Sequence, residues 1–321
     1  MRRKHMLIML ITVPLIVVLA LAGMIAFGTA EAPPPLASVS DNVRRMDMSE
    51  LPPLQRYTAR DGASLAYRTW PGGGERVALL IHGSTSNSSR MNPLAKALAA
   101  AGATVYAPDM RGHGESGRLG DIDYIAQLDD DLADFMAVIK PRHPGASFTL
   151  AGFSSGGGFT LRIAAGRYGD LFDRYILLAP YLGYDAPSSR HDGGGWATPY
   201  VPRIIGLVML NRVGIHGLDG LPAVAFAKDP VPTYSYRLML SFAAHRDFRD
   251  DFRRVRKPMT LLAGSDDDEM YADQYAPLLR SLRPDIAVQV IRGVGHIGVT
   301  SDAPALAAIR AVFVEDERAA R

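Results

Sequence analysis

A serine framed by glycines follows an apolar run in the middle of the chain. The apolar run covers residues 148–151. Gly152, Ser154 and Gly156 follow it, and a stretch of helical character begins at residue 155 and ends at residue 167. Glycines on both sides let a strand and a helix approach closely, so the turn between them stays sharp and holds the serine hydroxyl up toward solvent. The pattern therefore predicts a strand, a strained turn and a helix, with Ser154 as a candidate nucleophile.

Candidate partners for that serine follow two later strands. A serine hydroxyl needs a neighbouring base to take its proton, and a carboxylate that orients the base and stabilises its charged form. An apolar run at residues 259–263 leads into Gly264 and three aspartates, and a run at residues 288–291 precedes His296. Because the carboxyl ends of parallel strands lie along one edge of a sheet, we expect these residues to meet Ser154. The candidates for the acid are Asp266, Asp267 and Asp268.

An earlier turn offers backbone donors for a developing oxyanion. Residues 77–81 form an unbroken apolar run, as expected for a strand buried on both faces, and His82, Gly83 and Ser84 follow it. We expect the N–H of Ser84 to act together with the N–H of Ser155. In other enzymes such donors contribute about 3 to 4 kcal/mol each.

Strand-like and helical stretches alternate through most of the chain. The helical stretches lie at residues 93–101, 122–139, 155–167, 271–282 and 303–314. This alternation indicates an α/β fold with a mostly parallel sheet and helices on both faces. With 321 residues and 48% hydrophobic content, the chain can bury the core of one such domain, which we place at residues 54–318.

The alternation breaks at about residues 181–256. Connections within α/β units usually have about 2 to 6 residues, so this interval is predicted to be an insertion with its own structure. It contains a glycine run at residues 193–195, predicted to be a hinge, and apolar runs at residues 204–210 and 224–226. Two interpretations stay open: the apolar side chains line the site and favour acyl chains, or they form the insertion's own small core.

The motifs identify the chain as similar to a known superfamily. They are the turn at His82 and Gly83, the run from Asp109 to Ser116, the turn at Ser154, the pair Gly264 and Asp267, and the pair Gly295 and His296. The chain resembles the α/β-hydrolase superfamily and, within it, the monoacylglycerol lipase and lysophospholipase-like group of the serine aminopeptidase S33 type.

The resemblance implies an α/β-hydrolase fold with an inserted helical lid. It also implies Ser154 as nucleophile, Asp267 as acid and His296 as base, since the family spacing from Gly264 selects the second of the three aspartates. The backbone amides of Ser84 and Ser155 are implied as oxyanion donors.

The N-terminal segment predicts a membrane anchor. Residues 6–27 carry no charge and, at about 1.5 Å per residue of helix, suffice to cross a bilayer core of about 30 Å. Arg2, Arg3 and Lys4 precede this stretch, so the positive-inside rule places the catalytic domain outside the cytoplasm. The alternatives are a signal sequence cleaved after Ala30, which gives a secreted protein, and a buried core helix.

A proline-rich segment follows. Residues 31–53 contain prolines at positions 33–35, 52 and 53 and show little periodicity, so they are predicted to form an extended, solvated stalk. The chain thus divides into an anchor or signal sequence at residues 1–30, the stalk, and the hydrolase domain.

Composition narrows the possible partners. The chain has 35 basic and 33 acidic residues, a net charge of +2, so we expect no nucleic-acid partner. It has no cysteine, which excludes a disulfide framework and a thiol nucleophile. We expect no cofactor and no metal, because the aspartates at 266–268 lack a glycine-spaced calcium loop or a helical histidine pair. A second aspartate run, at residues 129–131, is interpreted as a solvated helix face.

Together these features predict a membrane-anchored serine hydrolase that cleaves carboxylic esters, with a small-molecule or lipid ester of the lysophospholipid or monoacylglycerol kind as substrate. Three alternatives stay open: a serine aminopeptidase, an acyltransferase, and a ligand-binding protein that keeps the fold without turnover.

Overall fold

The structure is a computed structural model that describes residues 2–28, 31–35, 41–42, 44–190, 193–227 and 231–315. The strands are β1 (Gln55–Thr58), β2 (Ser64–Trp70), β3 (Arg76–Ile81), β4 (Thr104–Pro108), β5 (Ser147–Phe153), β6 (Arg174–Leu178), β7 (Ala197–Pro199), β8 (Pro222–Phe226), β9 (Thr233–Ser235), β10 (Met259–Gly264) and β11 (Ala287–Ile291). The α-helices are α1 (Arg2–Phe27), α2 (Asn92–Ala100), α3 (Gln127–Ile139), α4 (Ser155–Ala165), α5 (Val201–Arg212), α6 (Tyr236–Ser241), α7 (Phe248–Arg254), α8 (Tyr275–Leu282) and α9 (Ala303–Glu315).

The main sheet has the strand order β1, β2, β4, β3, β5, β6, β10, β11. Strand β2 runs antiparallel to β1 and β4, and the other neighbouring pairs are parallel. Every residue of β4 and β6 is buried, as strands covered on both faces require. The predicted α/β-hydrolase fold with its mostly parallel sheet is confirmed.

The crossovers explain why helices cover both faces. Helix α2 connects β3 to β4 in one direction across the sheet, whereas α4 connects β5 to β6 in the opposite direction. Because parallel crossovers are right-handed, these two helices lie on opposite faces. The packing agrees, since α2 contacts α9 and α4 contacts α7.

The change of direction between β3 and β5 creates a crevice at the carboxyl edge of the sheet. Such switch points are where open α/β sheets bind ligands. The turn with Ser84 follows β3, the turn with Ser154 follows β5, and the turn with Asp267 follows β10. His296 follows β11 at the same edge. The topology therefore brings all four predicted segments to one side of the sheet.

The insertion between β6 and β10 contains α5, α6 and α7, together with an antiparallel sheet of the order β7, β8, β9. The sequence did not predict this sheet. Leu207 of α5 is fully buried against Ala223 and Tyr236, with Ile204 and Val208 packed around them. The run at residues 204–210 thus contributes mainly to the insertion's own core, the second of the two interpretations given above.

The predicted membrane localisation is wrong. Among the residues that the structure describes, no helix has the length and hydropathy that a membrane span needs. Hydropathy alone places the apolar stretch at residues 6–27 in lipid, whereas the last turns of α1 pack on α5. Ile25 is buried there, and its carbonyl oxygen accepts a hydrogen bond from Arg203 Nε at 2.8 Å. The prediction that the catalytic domain lies outside the cytoplasm depended on this anchor and is therefore also wrong. The predicted membrane contact through the N-terminal segment is not supported.

The end of the proline-rich segment is attached to the main domain. Asn92 Nδ2 of α2 donates to the carbonyl oxygens of Asp47 and Ser49 at 2.9 and 3.0 Å. Lys96 Nζ lies 2.8 Å from Glu50 Oε2. The cleavage signal at Thr29 and Ala30 and part of the stalk, residues 36–40 and 43, lie outside the described residues. The domain boundaries stay a prediction.

The aspartates at 129–131 do not form a solvated face, which corrects the sequence interpretation. Asp131 is buried, and its carboxylate accepts two hydrogen bonds from Arg111 at 2.7 and 2.8 Å. Asp129 pairs with Arg162 at 2.9 Å. The arginines that make burial possible come from elements distant in the sequence, because buried carboxylates need a charged partner.

Candidate active site

Ser154 lies in a strained turn between β5 and α4. Its φ of 55° and ψ of −120° fall outside the conformations that non-glycine residues normally adopt, and such strain persists where the surrounding structure enforces it. The flanking residues must be glycines, because a side chain at either position would collide with a backbone carbonyl oxygen. A Cβ on Gly152 would lie 2.1 Å from the carbonyl oxygen of Gly156, and one on Gly156 would lie 2.3 Å from that of His82. The sharp turn predicted from the glycines is therefore present.

The turn after β3 lies beside Ser154. A Cβ on Gly83 would be 3.3 Å from Ser154 Cβ, and the hydroxyls of Ser84 and Ser155 are hydrogen-bonded to each other. Ser155 is the first residue of α4, so no carbonyl of the helix can accept its N–H. The structure thus brings the two predicted oxyanion residues together at the nucleophile.

The conformation of the β3 turn depends on the insertion. Thr85 has a φ of 55°, and its N–H donates to the hydroxyl of Tyr234 in β9 at 2.8 Å. The same hydroxyl is hydrogen-bonded to His113 Nε2. His82 Nε2 accepts the N–H of Met110 at 3.1 Å, and its ring lies 4.9 Å from that of His113. We call Thr85, His82, His113 and Tyr234 the oxyanion-side network.

Burial favours the neutral forms of the titratable groups in the oxyanion-side network. Burial is the largest influence on both rings: it lowers the pKa of His82, and with the neighbouring His82 it lowers the pKa of His113 well below its usual value. Burial also raises the pKa of Tyr234 above its usual range. Tyr234 is not predictable from the sequence, because nothing local distinguishes it from other tyrosines.

Asp267 and His296 form a buried pair. His296 Nδ1 lies 2.8 Å from Asp267 Oδ2, and the two residues are 2% and 4% exposed. Asp267 Oδ1 accepts the N–H groups of Glu269 and Met270 at 2.9 and 2.7 Å. Asp266 and Asp268 are exposed. Of the three candidate acids, Asp267 is thus the one with the geometry that the resemblance implies.

A fourth carboxyl group, which the sequence analysis missed, faces the other nitrogen of His296. Glu269 Oε2 lies 3.4 Å from His296 Nε2, and the Glu269 side chain is buried. Burial raises the pKa of Glu269 to about 7. Burial alone would lower the pKa of His296, but the carboxylates of Glu269 and Asp267 outweigh it and raise that pKa to about 9. We call Asp267, Glu269 and His296 the acid–base cluster.

His296 also lies next to the turn at Ser154. Its ring centroid is 4.8 Å from that of Phe153, the residue before the predicted nucleophile. Over the described residues, no hydrogen bond joins Ser154 Oγ to His296, and His296 Nε2 is buried without a hydrogen-bond partner. The structure therefore brings the three predicted residues to one place but leaves the link between serine and histidine unmade.

No metal site accompanies this arrangement in the described ranges, since no three histidine, cysteine, aspartate or glutamate side chains are grouped as ligands would be. The acid–base cluster contains only two carboxyl groups and one imidazole. Carboxyl and imidazole groups of this kind can exchange protons with a neighbouring hydroxyl.

Sequence relatives agree with the resemblance inferred from the motifs. The chain is 29% identical over 181 residues to the monoacylglycerol lipase of Mycolicibacterium smegmatis, which covers 55% of this chain and 60% of that protein. It is 31% identical over 111 residues to the monoglyceride lipase homolog of Monkeypox virus, which covers 34% and 40% of the two chains. The matched segments thus span less than two thirds of either relative.

A solved structure gives the same fold. The soluble variant of monoglyceride lipase from Saccharomyces cerevisiae matches with a TM-score of 0.63 at 19% identity, over 89% of this chain and 99% of that one. The family described as "Serine aminopeptidase, S33" matches residues 74–298. That match covers more than half of the chain and includes the turns at Ser84, Ser154, Asp267 and His296. The protein is therefore a hydrolase that belongs to the serine aminopeptidase S33 family and has the α/β-hydrolase fold.

Proposed function

We propose that this protein cleaves carboxylic esters through an acyl-enzyme on Ser154. The observation that carries the proposal is the strained serine turn, which lies beside the hydrogen-bonded pair of Asp267 and His296. A hydroxyl in that position becomes a nucleophile when an imidazole takes its proton. Asp267 holds the imidazole by Nδ1, which leaves Nε2 as the nitrogen that faces the chemistry.

In the proposed reaction, Ser154 Oγ attacks the ester carbonyl carbon while His296 Nε2 takes the hydroxyl proton. The carbonyl oxygen becomes negative, and the N–H groups of Ser84 and Ser155 stabilise it. The tetrahedral intermediate then collapses, and the departing alcohol receives the proton from His296. Water repeats the sequence on the acyl-enzyme and releases the acid.

The proposed substrates are esters of the monoacylglycerol kind. The names of two sequence relatives support this class, and the lysophospholipid class comes from the resemblance of the motifs. The insertion gives no independent support for long acyl chains, because its helix α5 packs Leu207 and its neighbours into the insertion's own core. The substrate class therefore rests on the relatives.

Active-site labelling tests the nucleophile. A fluorophosphonate probe should label the full-length protein, and Ser154→Ala should abolish the label. Ser155→Ala is the matched control, since it removes the adjacent hydroxyl but keeps the backbone N–H that the proposal uses. Labelling that depends on Ser155 instead would refute the assignment, and no labelling of the folded protein would favour a ligand-binding role.

A substrate panel tests the reaction class. We expect turnover of short aryl esters and of monoacylglycerols, and little turnover of aminoacyl arylamides. The family description keeps the aminopeptidase alternative open, and preferred cleavage of the arylamides would support it. Transfer of the acyl group to an added alcohol in preference to water would indicate an acyltransferase.

A further inference from the structure

The carboxyl group of Glu269 lies against the nitrogen of His296 that the proposed reaction assigns to Ser154. The turn after β10 folds back so that the N–H groups of Glu269 and Met270 bind Asp267 Oδ1. As a result, Asp267 meets His296 at Nδ1, 2.8 Å away, and Glu269 meets the same ring at Nε2, 3.4 Å away. One imidazole thus lies between two carboxyl groups.

The surroundings leave Glu269 with few other partners. Its side chain is buried, and in the described part of the chain His296 is the one side chain with which it forms an ion pair. From the insertion, the backbone of Gly194 approaches Glu269, since a Cβ on Gly194 would lie 3.0 Å from Glu269 Cα. A carboxylate buried against a single imidazole favours the protonated ring.

Other titratable groups face the cluster from neighbouring elements. Asp268 is exposed in the same turn and acts on both His296 and Glu269 through its charge. Arg190, from the insertion, donates from Nη2 to the carbonyl oxygen of Asp267 at 3.1 Å. Burial raises the pKa of the Tyr275 hydroxyl in α8 well above its usual value, and the charge of the nearby Asp267 raises it further. None of these three groups forms the contact at Nε2.

A protonated Nε2 conflicts with the proposed function, on which this inference rests, because an imidazolium cannot take the proton of Ser154. We propose that Glu269 is a positioning residue that holds His296 at Nε2 in the resting enzyme and releases this nitrogen to Ser154 when the ester binds. The release is a deprotonation: the N–H bond at Nε2 breaks, the proton passes to water, and the cluster becomes more negative by one charge, so activity follows the ionisation of His296. Neutral Nε2 then accepts the proton of Ser154.

The pH profile of kcat/KM for a short aryl ester tests this role in the full-length protein. With the pKa of His296 at about 9, the wild-type value should still rise between pH 7 and pH 9. Glu269→Gln keeps the shape but removes the charge, so its rising limb should move at least about one pH unit lower, with about a tenfold gain at pH 7. Glu269→Asp, whose carboxylate is withdrawn by one methylene, should move the limb in the same direction by less.

Asp268→Asn is the matched control, because it removes one negative charge from the same turn at an exposed residue next to Asp267. Its limb should stay within about half a pH unit of wild type, as expected for an exposed charge screened by solvent. If Glu269→Gln and Glu269→Asp both keep the wild-type limb, or if Asp268→Asn moves it as far as Glu269→Gln, the proposal is overturned.

A second measurement separates this proposal from the proposed function. The His296 ring is titrated by nitrogen-15 NMR in Ser154→Ala protein, with and without Glu269→Gln. A lower His296 pKa in the Gln variant supports the contact at Nε2 even if no ester is turned over, an outcome that would count against the proposed function alone. An unchanged His296 pKa would overturn the role of Glu269 whatever the activity.

Discussion

Buried histidines lie on two sides of the candidate site, at the same edge of the sheet, and their pKa values shift in opposite directions. Burial lowers the pKa of His82 and His113 in the oxyanion-side network. His296 is buried as well, yet Glu269 and Asp267 outweigh burial and raise its pKa to about 9. Burial alone therefore does not set the charge of a histidine here. The neighbouring carboxylates do.

The difference matches two tasks. A neutral network keeps the same donors and acceptors over a wide range of pH, which suits a turn that must hold backbone N–H groups in place. In the proposed function, by contrast, the acid–base cluster gains and loses a proton in each turnover. We therefore expect substitutions in the oxyanion-side network to change rates at every pH, and substitutions in the acid–base cluster to change the pH dependence.

The largest expected effect tests the acid–base cluster. Asp267→Asn should lower kcat for an aryl ester by about 10⁴-fold, because the amide cannot stabilise the imidazolium and favours the wrong tautomer. Asp266→Asn, the same change at an exposed neighbour, should stay within about twofold. An equal loss of kcat in Asp266→Asn would mean that Asp266 is the acid that orients His296. The comparison between the acid–base cluster and the oxyanion-side network would then not hold.

The next largest effect tests the oxyanion-side network. Tyr234→Phe removes the acceptor of the Thr85 N–H and the partner of His113, so the β3 turn loses its fixed position. Because direct loss of one oxyanion donor costs about 10²- to 10³-fold, we expect about a tenfold lower kcat/KM through this indirect change, at every pH. Tyr236→Phe, in the adjoining helix, is the control and should be close to wild type. A shift of the rising limb of the pH profile of kcat/KM in Tyr234→Phe would mean that the oxyanion-side network and the acid–base cluster are coupled.

A smaller effect should appear in thermal unfolding. The folded-state pKa values of Glu269, about 7, and His296, about 9, both exceed their unfolded values, so each group binds its proton more tightly in the folded state. The stability contributed by Glu269 is complete below about pH 4.5 and lost toward pH 7, and that of His296 is complete below about pH 6.5 and lost through pH 9.

The melting temperature should therefore fall by a few degrees between pH 6.5 and pH 9, measured by circular dichroism. His82 and His113, with lowered pKa values, act mainly below that window, which isolates the acid–base cluster. Glu269→Gln should flatten the slope. A slope unchanged by this substitution would contradict the raised pKa of His296.

The smallest effect is expected on the exposed face of α5. Ile205 and Met209 are 45% and 42% exposed, so Ile205→Ser and Met209→Ser should change kcat/KM by less than about twofold for esters of two to twelve acyl carbons. Each methylene buried in a site would give about fourfold per carbon. A loss confined to the long esters would mean that this face contacts the acyl chain after all.

The features that the sequence predicted are those whose chemistry is local. The glycines around Ser154 define its turn, and the positions of Asp267 and His296 after strands bring them to one edge of the sheet. The fold class followed from the alternation of strands and helices. These arguments need only neighbours in the sequence and the rules of parallel sheets.

The features that it missed depend on contacts between distant segments. The Thr85 N–H bonds a tyrosine 149 positions later, and no local pattern marks Tyr234 for that role. Glu269 stands two positions after Asp267, but its contact with Nε2 exists only in the folded turn. Burial of Asp131 depends on Arg111 in the same way, 20 positions away in the sequence. Pairing of charges across the fold cannot be derived from composition.

The packing of α1 on α5 has a consequence for proteolysis. Gly206 leaves room for Ile25, whose side chain would lie 2.7 Å from any Cβ added there, and Arg203 donates to the Ile25 carbonyl oxygen. A protease that removed the N-terminal helix would expose this apolar groove to water and remove the carbonyl acceptor of Arg203. The durability of the insertion in a proteolytic environment thus depends on the contact between the last turns of α1 and α5.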